Sequence, residues 1–234
     1  MRSKLSISVL TAALIAALLI GCGKRPDTSP PEMLTKADNE YVICLTIDLS
    51  GSFLSQMAES GKAYDFATRL IDKYYRNKTT TTDKIILCQI SGGTDKCLLW
   101  EGRIHDLRRE FGTASQFRDF LLKHANPNAS YVHDGLANVA DYLADDERIE
   151  SGEAKLGLFI LSDMLDNSPD PQKSEERLVQ SFSKLGGTSK NVVCMYYVNQ
   201  QLVGHWRQQL HACGIKASRV ESEIVGKPSL PNFE

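Results

Sequence analysis

Tyr41-Val42-Ile43-Cys44-Leu45-Thr46-Ile47-Asp48-Leu49-Ser50-Gly51-Ser52 is the stretch that decides the fold of this 234-residue chain. Its first seven residues are almost continuously apolar or β-branched, the pattern of a strand buried on both faces. An Asp at the carboxyl end of such a strand costs free energy unless it meets a cation or several donors. Ser50 and Ser52, with Gly51 between them, place short oxygen ligands on a tight turn two and four residues further on. A hard divalent cation wants that combination. The segment therefore points to a metal site at the top of a parallel sheet.

Outward from this stretch, strand-like and helix-like segments alternate. Strands are expected at 41–48, 84–90, 96–101, 155–162, 191–198 and 216–225, and helices at 57–76, 114–125, 133–146, 171–186 and 202–213. The run from Asn77 to Asp83, with four threonines, reads as a loop, and Ser91-Gly92-Gly93-Thr94-Asp95 as a hairpin connection. Thr113 or Ser115 caps the second helix, Asn126 to Ser130 breaks the chain after it, and glycines end the later helices. This alternation implies an α/β fold. A doubly wound, mostly parallel six-stranded sheet carries helices on both faces and one antiparallel hairpin strand. Ligands of such sheets bind beyond the carboxyl ends of the strands, where strand order reverses. Asp48 lies at such an end, and so does Asp163, directly after Leu158-Phe159-Ile160-Leu161-Ser162.

The beginning of the chain has a different character. Met1-Arg2-Ser3-Lys4 is basic, and Leu5 to Ile20 is an apolar run of 16 residues. That is shorter than the roughly 20 residues a membrane-spanning helix needs, so residues 1–21 are expected to be a cleaved signal peptide. Leu19-Ile20-Gly21-Cys22 resembles the lipobox of bacterial lipoprotein signals. The resemblance implies that Cys22 is lipidated and becomes the N-terminus, held to a membrane of the bacterial cell envelope and facing the periplasm or the surface. Gly23, in place of Asp, leans towards the outer membrane. Residues 22–39 are polar and proline-bearing, as in a flexible tether.

Arg2 and Lys4 are the charged residues of 1–21, so without them 25 Lys and Arg face 29 Asp and Glu, a net charge near −4. That balance argues against nucleic acid as a partner and against a polybasic membrane-surface mode. Besides Cys22 there are Cys44, Cys88, Cys97, Cys194 and Cys213, an odd number that leaves at least one unpaired within the chain. Cys44 and Cys194 sit in apolar runs as small core residues. None of the spacings is of the zinc type. A bridge between Cys88 and Cys97 is conceivable across the hairpin in an oxidising compartment.

Asp48-x-Ser50-x-Ser52 resembles the first motif of the von Willebrand factor A domain, which forms a metal-ion-dependent adhesion site. That family adds a Thr from a loop before a helix and an Asp after the next buried strand. Ser130, leading into the helix at 133–146, and Asp163 stand at those positions. The likeness spans roughly 40–226 and leaves 227–234 as a loose tail. It implies that Ser50, Ser52 and Ser130 coordinate Mg²⁺ or Mn²⁺ directly. Asp48 and Asp163 would hold coordinated waters or bind directly. Neutral ligands leave much of the cation's charge unscreened, so an open position would accept a Glu or Asp from a partner protein. Two residues depart from the family pattern: Ser130 replaces Thr, and Met164 stands where a Gly is usual.

Other readings are weaker. Ser130, His133 and Asp134 suggest a hydrolytic set, but they are near-adjacent at a helix start and no Gly-x-Ser-x-Gly elbow exists. Asp166 and Asn167 read as loop polarity, Asp83 and Lys84 as a solvated strand entry, and Tyr196-Tyr197 as core residues on alternate faces of a strand. The expected function is non-enzymatic binding. The alternatives are a metal-free scaffold of an envelope assembly and a Mg²⁺-dependent phosphohydrolase with Asp48 as nucleophile. The latter resembles the haloacid dehalogenase first motif, except that Ser50 stands where that family has a second Asp.

Overall fold

A computed structural model describes residues 40–77, 83–90, 97–128, 130–188 and 190–231. The expected signal peptide at 1–21, Cys22, the expected tether, the threonine run at 79–82 and the expected hairpin connection at 91–95 lie outside the described residues. Among the described residues no helix is long and apolar enough to cross a membrane.

β1 (Glu40–Ile47) takes the centre of the sheet because both its edges are occupied and all but its first residue are buried. On one side it pairs in parallel with β2 (Lys84–Gln89), which pairs antiparallel with β3 (Leu98–Gly102). On the other it pairs with β4 (Ala154–Leu161), followed by β5 (Val192–Val198) and β6 (Ala217–Ser222), all parallel. The order β3-β2-β1-β4-β5-β6 makes this a doubly wound α/β sheet with one antiparallel strand. The direction of winding reverses between β1 and β4, so their carboxyl ends form the crevice where ligands of such folds bind.

Strand side chains alternate between two apolar layers. Val42, Cys44, Ile86, Leu158 and Met195 pack on one face with α4 (Val132–Ala144), α6 (Pro171–Gly186) and α7 (Val203–Ala212). Ile43, Leu45, Ile85, Phe159 and Tyr196 pack on the other with α1 (Lys62–Asn77), α2 (Ile104–Glu110) and α3 (Ala114–Lys123). Of the two cap candidates, Thr113 caps α3, in a reciprocal box with Gln116. A further short helix, α5 (Glu147–Glu150), is capped by Asp146 and separate from α4, where the sequence suggested one element ending at 146. Another helix, expected over 57–76, begins only at Lys62. Residues Leu54–Met57 form a distinct 3₁₀ turn, and Gly61 packs so closely that a Cβ would lie 2.0 Å from the Gln56 carbonyl oxygen. α2 was not expected, since only Ile104 and Leu107 of its seven residues are buried, too few to show a period.

Three local expectations are corrected. Asp83 is fully buried and accepts the Tyr41 backbone N–H at 3.0 Å near the start of the central strand, so it satisfies a buried donor instead of facing water. Lys84 beside it is paired with Glu101 and Asp146, not solvated. Tyr196 and Tyr197 do not alternate faces: Tyr197 has φ +67, the β5–β6 register slips there, and both rings pack on Phe66. The segment at 227–231 is no loose tail, since Pro228 and Pro231 are buried and Lys73 donates to the Pro231 carbonyl at 2.9 Å. Cys88 and Cys97 are buried free thiols, unbridged. Replacing Asp83 with Ala removes this buried acceptor of the Tyr41 N–H and should destabilise the fold by about 1–3 kcal/mol. Urea unfolding measures this, and an unchanged midpoint would show that another group takes the amide.

Candidate functional site

Asp48 leaves β1 with its backbone N–H still bonded to the Leu161 carbonyl at 2.9 Å, so the β1–β4 register carries it into the crevice. The side chain is fully buried. One carboxylate oxygen, Oδ1, accepts the Ser50 backbone N–H at 2.9 Å, and Oδ2 accepts the Ser162 hydroxyl at 2.7 Å. Burial pushes its carboxyl above the ordinary value of 3.8, and the negative Asp163 nearby pushes the same way. The Ser50 and Ser162 hydrogen bonds oppose them but do not prevail. No Lys, Arg or His pairs with Asp48 or Asp163 among the ion pairs of the described residues.

The turn after Asp48 is tightly built. Ser50 is buried, with its hydroxyl 3.4 Å from that of the exposed Ser52. Asn126 donates its N–H to the Leu49 carbonyl and forms a single parallel bridge with Ser50. Gly51 faces the Pro127 backbone, where a Cβ would stand 2.4 Å from the carbonyl oxygen, so no other residue fits without displacing the loop that carries Pro127.

Asp163 caps its own loop, accepting the Leu165 N–H at 3.1 Å, while its carbonyl takes the Asn199 N–H at 2.9 Å. Met164 follows in the left-handed region at φ +62, the conformation glycine adopts freely. The departure from the family's Gly thus keeps a glycine-like backbone, and the strain is offset by burying the Met side chain in the core. Ser130 is buried and tied to this same loop: its hydroxyl donates to the Leu165 carbonyl at 2.7 Å, and its carbonyl accepts the Asn167 N–H at 2.7 Å.

Asp166 is more than loop polarity, because it accepts the His133 N–H at 3.1 Å and so caps the first turn of α4. The His133 ring lies 3.6 Å from Asp166 and packs on Trp206, whereas Asp134 binds Ser174 and Arg177. The three candidates for a hydrolytic relay therefore have separate partners.

Ser52 and Asp163 open on a pocket of about 100 Å³ lined also by Phe53, Gln56, Lys62, Tyr197 and Glu223. Hydrogen bonds join Asp48, Ser50 and Ser52, Asp163 lines one pocket with Ser52, and Ser130 is linked to Asp163 through the loop that follows it. Ser162 and the Asn126-Pro127 brace belong to the arrangement but were missed. Ser162 carried a signal, being the hydroxyl immediately before Asp163. Asn126 and Pro127 read only as helix breakers, because contact with Leu49–Gly51 spans more than seventy residues.

In chemical terms the donor set suits a hard cation. Two carboxylates and several hydroxyls offer oxygen ligands only. Among the described residues no three His, Cys, Asp or Glu side chains cluster into a metal-binding group, so any ion here would draw on the serines.

No protein-family model matches the sequence, and a search of curated proteins finds no match. Among solved structures, the pilus adhesin SpaC from Lactobacillus rhamnosus GG, in its open conformation, is similar with a TM-score of 0.52 and 13% identity. The match covers 79% of this chain and 28% of the adhesin. Proximal thread matrix protein 1 from the mussel byssus gives a TM-score of 0.43 and 14% identity over 79% of this chain and 44% of that protein. The chain thus spans well under two thirds of either, and the first likeness supports the α/β doubly wound fold and no more.

Proposed function

We propose that residues 40–226 form a von Willebrand factor A-like binding module whose crevice holds Mg²⁺ or Mn²⁺ and through it captures an acidic side chain of a partner protein. One observation carries this reading: Asp48 is a fully buried carboxylate beside a second carboxylate, Asp163, and among the described residues neither of them is in an ion pair. Desolvating an unpaired anion is expensive, and a divalent cation at this edge would reverse the penalty. Asp48 and Asp163 would anchor the ion, with Ser50, Ser52 and Ser130 completing the shell. The cation would supply an electrophilic position for a carboxylate from outside. Ser52 is exposed and Asp163 lines an open pocket, so a partner has access. Leu165, 42% exposed and two residues past Asp163, offers an apolar contact next to that position. A lipid on Cys22 would hold the module at a membrane of the bacterial envelope.

Calorimetric titration of the full chain with Mg²⁺ and Mn²⁺ should show one saturable site, and partner capture should disappear in excess chelator. Absence of binding heat with capture intact in chelator would favour a metal-free scaffold. Mg²⁺-dependent turnover of a generic phosphate ester that requires Asp48 would overturn the binding-module reading in favour of hydrolysis.

A further inference from the structure

Away from the crevice, three thiols meet on the face of the sheet covered by α4, α6 and α7. Cys44, Cys88 and Cys97 belong to one apolar cluster with Val42 and Ile86. Cys88 faces both of the others, in thiol–thiol contact with Cys44 on β1 and with Cys97 at the entry to β3. A slip in the β2–β3 register between Leu87 and Cys88 sets Cys88 opposite Leu98, and Gln89 donates its N–H to the Cys97 carbonyl at 2.8 Å. That irregularity brings Cys88 and Cys97 to one face of an antiparallel pair at neighbouring positions.

We propose that Cys88 and Cys97 form a dithiol–disulfide modification site that closes by exchange with an external disulfide. Geometry selects this pair over Cys44 and Cys88. Cys44 aligns with Ile86 and Thr46 with Cys88, so those two thiols sit on a diagonal offset of two residues. Such an offset separates Cα atoms by roughly 7–8 Å, beyond the span of an unstrained bridge. Accessibility assigns the order of events. Cys97 keeps 7% exposure, whereas Cys44 and Cys88 keep none. The hydrogen bond from Cys88 holds the Cys97 thiol below its ordinary value, while contact with Cys44, then the contact with Cys97 and burial, push Cys88 up.

The Cys97 thiolate attacks one sulfur of the incoming disulfide, forming a mixed disulfide and releasing the first external thiolate. Cys88, giving up its proton, then attacks the Cys97 sulfur and expels the second. Two protein thiols are oxidised, one external disulfide is reduced to two thiols, and the two protons leave with the products. The bond would pin edge strand β3 to β2.

The test is to incubate the folded full chain with oxidised glutathione, alkylate the remaining thiols under denaturing conditions and map tryptic peptides. Residues 85–96 and 97–103 should appear linked and unalkylated in most of the protein, with Cys44 alkylated and dithiothreitol restoring both peptides. A Cys88→Ala variant should instead accumulate glutathione on Cys97. Linked peptides absent from the parent, a link from Cys88 to any other cysteine, or glutathione left on Cys97 while Cys88 is present would each overturn the assignment. The parent protein carries the decisive measurement, so a variant that folds poorly does not weaken it.

Discussion

Asp48→Asn should leave the metal-free protein within about 1 kcal/mol of the parent while removing the stabilisation that Mg²⁺ gives it. The amide keeps an oxygen for the Ser50 N–H and a polar group opposite the Ser162 hydroxyl, and it removes the charge that burial opposes. With Mg²⁺ the outcome reverses. A cation at a hundredfold excess over its dissociation constant stabilises the parent by about 2.7 kcal/mol, which for a domain of this size raises Tm by roughly 5–11 °C. The Asn variant should show almost none of that gain. Lack of any Mg²⁺ effect in the parent would sink the metal reading, and an equal effect in the variant would move the ion away from Asp48.

The same carboxyl sets a pH signature in chelator. Its folded value lies above 3.8 because of desolvation, so the folded protein retains a proton that the unfolded chain has released. Its contribution to stability is full below 3.8 and is lost as pH rises through the folded value. Glu101 and Asp146 act in the opposite sense. Burial pushes both up, but hydrogen bonds from Tyr142 and Lys84 to Glu101, and from Lys84 to Asp146, hold them below their ordinary values, and their contributions are lost on acidification. Overall pH profiles mix the two, whereas the difference between parent and Asp48→Asn isolates Asp48. In chelator the parent should lose ground to the variant as pH rises.

How far the sequence shows all this depends on the range of the interaction. Strands buried on both faces announce themselves, because every residue from Tyr41 to Ile47 must be apolar or bonded within the ladder. The crevice was readable for the same reason: an Asp at the end of such a run, at Asp48 and again at Asp163, conflicts with its surroundings. What stayed hidden was polar and non-local. Asp83 looks like any loop acid until the Tyr41 amide, forty-two residues earlier, is placed against it. The Asn126-Pro127 brace and the His133–Asp166 cap join segments whose sequence separation carries no period. The positive φ at Met164 and Tyr197 was equally invisible, since neither residue type advertises a left-handed backbone.

Gly135→Ala tests whether the seat of α4 sets the crevice, and two effects compete in it. Alanine favours a helix over glycine by up to about 1 kcal/mol, so propensity alone predicts a gain. Packing predicts a loss. A Cβ at position 135 would stand 2.5 Å from the Ile90 carbonyl oxygen and 2.7 Å from its Cα. Those are backbone atoms, so no rotamer change relieves the clash, and overpacking of this kind costs about 1–3 kcal/mol or more. Packing should win, with a net loss of about 1–2 kcal/mol and a Tm lower by roughly 2–8 °C. The shift also reaches the crevice from two sides. Ile90 donates its N–H to the Ile47 carbonyl just before Asp48, and the first turn of α4 is held by Asp166, three residues past Asp163. Mg²⁺ affinity should therefore fall along with stability. Gly204→Ala is the control, because that α7 glycine has no neighbouring atom within 4 Å of a Cβ and only propensity acts there. It should leave Tm unchanged or slightly raised and Mg²⁺ binding intact. Equal responses of the two variants would show that the close approach of α4 to Ile90 does not position the site.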